Sequence, residues 1–451
     1  MPNTPRRLLL VGALATSAAL MLGACASQQQ AEGSNASASS GNSQYYQAAV
    51  NEAKQIASGK KLASSLTMIG SNSGAEGQTL QKVYQAFTDA TGVKINYTGS
   101  QDILTLVKSR VDAGSPPDVA DIQLGTAEQY AQAGKLDDLS SAFGDELKKN
   151  YSQSLLDDAS YNGKVFGVYQ GFSNFMLWYN PQTYTGPKNP TSWSQITDWT
   201  ASQAAKGTPA WCAAQNAGGG SGFPGAQLLE NIFLKQYGPE LYKQWGEGKL
   251  AWTSPQVKSA FQELSALIGD NKNVSGGVNG ILSAPIATGY NGLVSNPASC
   301  QVALWGSWVP GLIGSSAKPG QNIDYYKVPA TDPKYANDEL FQSTVSVGFT
   351  DNDTTKAFLQ FMASTAAQTY LGSQDRWPVA NQNVPSNVYT SSILQKMSKD
   401  YFGNSGTQLA VGPNMLAGAA TTTAYYKGVM TYLQNPSQLD SVLQGIQATV
   451  Q

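Results

Sequence analysis

Apolar positions along this chain recur with two periods, and the two periods alternate. Leu66-Thr67-Met68-Ile69 has the composition of a short buried strand and stops at Gly70-Ser71-Asn72-Ser73-Gly74. From 76 to 91 the period lengthens: Leu80, Val83, Tyr84 and Phe87 share one helical face, and Gly92 ends it. Val93-Lys94-Ile95-Asn96-Tyr97 returns to alternation, and 103–113 resumes the helical period through Leu104, Val107 and Val111. Pro116-Pro117-Asp118 then opens a strand, Val119-Ala120-Asp121-Ile122. This β-α-β-α-β order predicts an α/β fold whose mainly parallel sheet carries helices on both faces, with ligands beyond the carboxyl ends of the strands. Further strands are expected at 164–169, 175–179, 302–305, 324–328 and 344–349. Helices are expected within 192–268 and over 354–371, 391–400, 421–433 and 439–450. No tandem repeat of fixed period is present.

The longest apolar run has a different meaning. Arg6 and Arg7 precede a stretch of small and apolar residues over 8–22 that ends in Leu22-Gly23-Ala24-Cys25. A basic start, an apolar middle and small residues before a cleavage point make an export signal, and the run is shorter than the ~20 residues of a membrane span. The tetrapeptide resembles the bacterial lipobox, in which the cysteine is acylated and becomes the first residue of the mature chain. Residues 1–24 are thus read as a lipoprotein signal and Cys25 as the lipidation site. An ordinary signal or a buried N-terminal helix is the alternative. Residues 27–43 are rich in Gln, Ser, Ala, Asn and Gly with no aromatic, the composition of a flexible tether; 25–62 is expected to be that tether and a lead-in to the body, with a short amphipathic stretch at 45–56. The expected location is the outer face of a bacterial cell membrane.

Composition narrows the function of the body. With the signal and tether removed from 451 residues, the body has length for two domain-sized cores. A formal charge of −2, with 13% charged residues and no basic run after the signal, disfavours nucleic acid and acidic partners. Histidine is absent, which removes most nucleophile–base machinery, the commonest transition-metal ligand and the usual neutral-pH proton shuttle. No metal or organic cofactor is indicated. Gly218-Gly219-Gly220-Ser221-Gly222 lacks the Lys-Ser/Thr that a phosphate-cradling loop places after its glycines. Of three cysteines, assigning Cys25 to lipid leaves Cys212 and Cys300 as a pair in an oxidising compartment, so a disulfide is expected; two separate buried thiols are the alternative.

Three short stretches, Ala90-Thr91-Gly92-Val93-Lys94-Ile95, Gly114-Ser115-Pro116-Pro117-Asp118-Val119 and Leu177-Trp178-Tyr179-Asn180, stand in an order that resembles the extracellular sugar-binding lipoproteins of ABC importers, the family that includes maltose-binding protein. Trp211-Cys212, Ser221-Gly222-Phe223-Pro224 and Tyr237-Gly238-Pro239-Glu240-Leu241-Tyr242 make the chain most similar to the α-glucoside-type subgroup, where Cys300 also falls at the position of the second cysteine. The chain departs from that subgroup in having Phe223 for Trp, Ala226-Gln227 for Asp-Trp, and Ser405-Gly406-Thr407-Gln408-Leu409 for Ser-Asp-Leu-Met-Pro. The resemblance implies a two-lobed type II periplasmic-binding fold with a ligand cleft between the lobes. The first lobe is expected to span 63–172 plus 329–352 and the second 173–328 plus 353–451, with crossovers near 169–175, 326–329 and 350. It implies a monomer that captures an oligosaccharide and presents it to membrane permease subunits.

A neutral oligosaccharide offers hydroxyls and flat C–H faces, so its site needs aromatic platforms beside Asp, Asn, Gln or Arg. Trp308, after a strand and a Gly-Ser turn, aligns with the family's stacking tryptophan; core packing is its alternative. Tyr425 and Tyr426 sit where the family carries an aromatic pair, or else form a plain helix face. Ser71, Asn72, Asp102 and Gln123 follow predicted strands, and Asn174 lies near the first crossover; each is also a fair helix cap or turn residue. Asp375 and Trp377, within the hydroxyl-pairing and stacking cluster Asp375-Arg376-Trp377-Pro378, occupy the place where the subgroup has a Gly-rich cleft loop; a salt-bridged turn is the alternative. The competing functions are an exported glycoside hydrolase, for which no carboxylate pair stands out, and a surface lipoprotein that binds no sugar.

Overall fold

The computed structural model describes residues 32–100, 102–402 and 405–450. Arg6, Arg7, the run at 8–22 and Cys25 lie outside the described residues. The first described element is a helix, Glu32–Ala57, which begins inside the stretch expected to be tether. Its later turns are anchored by the buried Ala49, Val50, Ala53 and Ile56, spaced to share one face.

Among the described residues twelve strands follow it: β1 Ser65–Gly70, β2 Lys94–Gly99, β3 Val119–Ile122, β4 Ser160–Tyr161, β5 Lys164–Val165, β6 Gly167–Tyr169, β7 Ser173–Tyr179, β8 Val302–Gly306, β9 Asp324–Tyr326, β10 Asp338–Gln342, β11 Val345–Gly348 and β12 Gln408–Ala410. They form two five-stranded sheets and a small β4–β5 hairpin. The first sheet has the order β2-β1-β3-β11-β6. In the second, β12-β10-β7-β8 are ordered side by side and β9 also pairs with β7. The fold is α/β and two-lobed, as expected, but its sheets are mixed rather than mainly parallel. β1 pairs in parallel with β2 and β3, whereas β11 runs antiparallel to both β3 and β6. In the second sheet only β10–β12 is parallel. The reason is connectivity: a strand that returns from the other lobe enters the sheet from the opposite end and is antiparallel to its neighbours.

That return also moves the lobe boundaries. Strand β10, unforeseen in the sequence, pairs with β7, so 338–342 belongs to the second sheet and the passage between sheets falls at 343–344 instead of near 326–329. The helices Asp353–Ala363 and Thr365–Gly372, split by Ser364 from the single helix expected at 354–371, pack against β11 and the Gly74–Thr91 helix of the first lobe. The chain therefore stays in the first lobe well past 350, and its last passage lies within 373–391. The first passage is at 170–172, close to where it was expected. It is stitched to the last by a bridge between Gly171 and Val379 and by hydrogen bonds Phe172 N–H to Pro378 O and Ala380 N–H to Gln170 O, each 3.2 Å.

The long helix Phe223–Gly246 breaks at Gly238, whose φ of 84° precedes Pro239, and carries an unusual buried polar face. Lys235 from this helix meets Glu339 of β10 at 3.1 Å with both side chains out of solvent. That pair explains how a strand beginning Asp338-Glu339 is buried at all, since removal of either partner would strand a charge in the interior.

Candidate functional site

A cavity of about 700 Å³ opens between the two sheets. Its polar lining comes mostly from residues that immediately follow strands. Ser71 and Asn72 leave β1, Gln123 leaves β3, Gln170 leaves β6, Ser307 and Trp308 leave β8, and Ser343 and Thr344 leave β10. This is the physical content of the strand-end rule: the carboxyl ends of both sheets face the same gap, and the backbone turning away from each strand exposes its next side chains there.

The apolar faces are aromatic. Trp308 is half-buried and held edge-on by Trp305 at 5.5 Å and Phe175 at 5.6 Å between ring centroids. Trp305 itself is fully buried and forms part of the back wall, stacked on Tyr290 with centroids 5.6 Å apart. Phe223 enters from the start of its helix, and Trp377 from the last passage between lobes. Two glycines make room for these rings. A Cβ on Gly171 would overlap the Trp377 indole, and one on Gly306 would overlap the Trp308 ring.

Beside the rings sits a buried polar cluster. Asp121, at 3% exposure, accepts hydrogen bonds at Oδ1 from the Ser346 hydroxyl and from Gln170 Nε2, the latter at 3.3 Å. Gln170 Nε2 also donates to Ser346 Oγ at 2.7 Å, and Gln170 Oε1 and Trp305 Nε1 are buried with no hydrogen-bond partner. Burial raises the Asp121 carboxyl to about 6 against the opposing pull of Ser346. The Tyr97 hydroxyl donates to Asn72 O at 2.7 Å and fixes the turn after β1.

Of the residues singled out from sequence, Ser71, Asn72, Gln123, Trp308 and Trp377 line this cavity together. The others do not. Tyr425 is fully buried, its ring packed against Trp252 at 4.7 Å and its hydroxyl donating to Ala226 O at 3.1 Å. Tyr426 lies behind Phe223, ring centroids 5.7 Å apart, with its hydroxyl on Asn414 Oδ1. Their helix, Ala419–Gln434, turns this face to the core of the second lobe, which is why an aromatic pair here is structural. Asn174, the second residue of β7, is fully buried behind the cavity with both amide atoms unpartnered. Asp102 is exposed and stands before the helix Ile103–Asp112, outside the lining. Asp375, in the left-handed region at φ 56°, holds the Thr390 N–H at 2.9 Å and faces a smaller neighbouring cavity. Gln170, Asp121 and Glu76 were not foreseen as lining; Arg376 stands within the Asp375-Arg376-Trp377-Pro378 cluster and Phe223 within the subgroup motif, and both line the cavity. For Asp121 a signal existed, an acid inside an otherwise apolar strand.

Cys212 and Cys300 lie side by side with Cα atoms 5.3 Å apart, in the range that a disulfide spans. Among the described residues no group of three or more Cys, Asp or Glu side chains is arranged to hold a metal ion, and no helix is long and apolar enough to cross a membrane.

Relatives place this geometry in context. The osmoprotective compounds-binding protein GgtB of Synechocystis sp. is 24% identical over 373 residues, covering 82% of this chain and 88% of that protein. The α-glucosides-binding periplasmic protein AglE of Rhizobium meliloti is 26% identical over 399 residues, covering 85% and 86%. Among solved structures, the bacterial solute receptor AcbH superposes with a TM-score of 0.72 at 15% identity, covering 87% of this chain and 98% of that one. The model of the bacterial extracellular solute-binding proteins matches residues 70–369, a span that contains both sheets except most of β1 at its start and β12 at its end. The chain, with its two lobes and the aromatic cleft between them, belongs to the bacterial extracellular solute-binding protein family, a family of binding proteins and not of enzymes.

Proposed function

We propose that this protein captures an α-glucoside-like oligosaccharide in the cleft and delivers it to the permease subunits of an ABC importer, while Cys25 anchors it by lipid to the outer face of the cell membrane. The observation that carries the reading is the lining itself. Trp308, Trp377 and Phe223 offer flat apolar faces, and Asp121, Gln170, Asn72 and Gln123 offer hydroxyl partners within one cavity. Stacking on aromatic faces and hydrogen bonding to buried polar groups are the two interactions a sugar makes well. AglE, by its name, binds α-glucosides, which supports the linkage class. AcbH is described as having an exclusive preference for β-D-galactopyranose, so the shared fold leaves the choice to side chains. Phe223, standing where the α-glucoside subgroup has Trp, is a direct contribution of this chain to that choice. Sugar favours a closed form only through contacts that it makes better there, and those contacts must come from both walls.

The test is calorimetric titration of the body with α-glucosides, α-galactosides, mannosides and xylosides. One linkage class is expected to bind one-to-one, with Trp308→Ala weakening it at least tenfold, which is about 1.4 kcal/mol. Silence across the panel defeats the sugar reading. Unchanged affinity in Trp308→Ala defeats the stacking role. For the anchor, metabolic labelling with fatty acid should be lost in Cys25→Ser, and labelling that persists rules it out.

A further inference from the structure

Beside the cavity already described lies a second one of about 330 Å³, and the two share a wall. Glu76, Ser307, Trp308, Leu312 and Arg376 line both. Past Trp308 the second cavity is bounded by Ile393 and Leu394, the buried start of the helix Ser392–Tyr401, and by Asp375. Trp308 thus stands at a passage and not at a dead end.

The passage is chemically distinctive. Glu76 approaches from the first turn of the Gly74–Thr91 helix, and Arg376 from the loop after the Thr365–Gly372 helix. Arg376 is exposed and makes no hydrogen bond or ion pair among the described residues, so its five donors are uncommitted. Its neighbour Asp375 is pinned by the N–H groups of Thr390 and Ser391 at 2.9 and 3.3 Å, in a backbone conformation that few non-glycine residues adopt. That anchoring holds the Arg376 backbone at the rim. One carboxylate and one guanidinium add no net charge, which suits a neutral ligand whose hydroxyls both donate and accept.

We propose that the second cavity is an outer subsite that receives the continuation of a linear glycan whose inner units fill the larger cavity, with Trp308 as the shared platform and Glu76 and Arg376 as hydroxyl partners at the passage. This rests on the sugar reading above and adds chain length to it: glycans of three or more units are favoured over one or two.

Gly311, in the short helix Val309–Ile313, lines the outer cavity, and a Cβ placed there meets nothing within 4 Å. Gly311→Phe therefore fills the outer space without forcing the fold. Gly219, equally open and on neither cavity, provides the control Gly219→Phe. The full body is titrated with α-linked glucose, α-linked galactose and β-linked glucose oligomers of one to four units, with melting temperatures recorded for each variant. The wild type is expected to bind three- and four-unit glycans of the preferred linkage at least tenfold tighter than the two-unit glycan. Gly311→Phe should erase that gain and leave two-unit binding unchanged, Arg376→Ala should erase part of it, and Gly219→Phe should alter nothing. Equal affinity at all lengths, or a Gly311→Phe effect as large on two units as on four, overturns the outer subsite alone. Absence of binding to every glycan overturns the sugar reading and the subsite with it.

Discussion

Asp121 concentrates the chemistry of the cleft in one side chain. Its carboxyl is buried, tied to Ser346 and Gln170, and raised by burial from 3.8 to about 6. A carboxyl whose folded pKa lies above its unfolded value contributes stability fully present below the unfolded pKa and lost as pH rises through the folded one. The charged form is therefore a cost to folding near neutral pH, and under the proposed function that cost maintains an acceptor for ligand hydroxyls. Two opposite trends are expected: as pH falls from 7.5 to 5, ligand affinity drops while the contribution of Asp121 to stability rises. In Asp121→Asn the pH dependence of affinity should flatten and the melting temperature at pH 7.5 should rise relative to wild type. An affinity that keeps its full slope in the variant would show that Asp121 is not the titrating group. At this scale, the sequence is informative where a residue comes directly after a strand. Ser71, Asn72, Gln123 and Trp308 do so, and a strand pattern is enough to place them. Tyr425 and Asn174 looked equally suitable, but which way a helix turns its face, or which sheet face is covered, is decided by neighbours distant in sequence. Gln170 also follows an expected strand and Phe223 stands in a subgroup motif, but their place in the lining depends on two lobes meeting and neither was singled out.

Elements with a strong period were legible, and those whose burial depends on a remote partner were not. β1, β3 and β8 are apolar runs and were expected within a residue or two. β10 begins with two acids, and Glu339 is made tolerable inside chiefly by its ion pair with Lys235, more than a hundred positions earlier in the chain, with Lys327 adding a second positive charge nearby. The Phe223–Gly246 helix is the same case: Gln227, Glu230 and Asn231 are all buried on it. Glu230 Oε2 accepts from the Tyr242 hydroxyl at 2.6 Å and the Asn414 N–H at 3.4 Å, while Oε1 has no partner. Desolvation raises this carboxyl to about 8. Its stabilising contribution is present below 4.5 and is lost as pH rises through about 8. Glu230→Gln keeps the acceptor and removes the ionisation. The melting temperature of the variant minus that of wild type should grow from pH 5 to pH 8 and level off above. A difference that is flat with pH would mean that Glu230 is ionised throughout.

For the molecule as a whole, two-lobed organisation is legible from length and motif order, but the lobe boundaries are not. They depend on which sheet each returning strand joins, and pairing partners are not written locally. The pairing of Cys212 with Cys300 is a further whole-molecule expectation. Both cysteines belong to the second lobe, and Cys212 N–H donates to Val302 O at 2.8 Å, so a bond here would fasten 210–216 to the edge of β8. With the two positions 88 residues apart, the closed loop contributes roughly 4–5 kcal/mol in the chain-entropy model. Unreduced, denatured protein is expected to expose no thiol from these two positions, and reduction should lower the melting temperature. Two labelled thiols before reduction would refute the bridge.

The position of β11 has a consequence for how the chain assembles. It sits inside the first sheet, between β3 and β6, yet it is synthesised after nearly all of the second sheet. A nascent chain that has emerged only as far as residue 344 holds a first sheet with its interior strand missing and two unpaired edges facing the gap, β3 on one side and β6 on the other. Such an intermediate cannot complete its backbone hydrogen bonding, and the long sequence separation makes closure slow. The first sheet of this protein is therefore held open by its own topology until about half of the carboxyl-terminal half exists. Any truncation before 345 leaves exposed strand edges and not a smaller folded lobe.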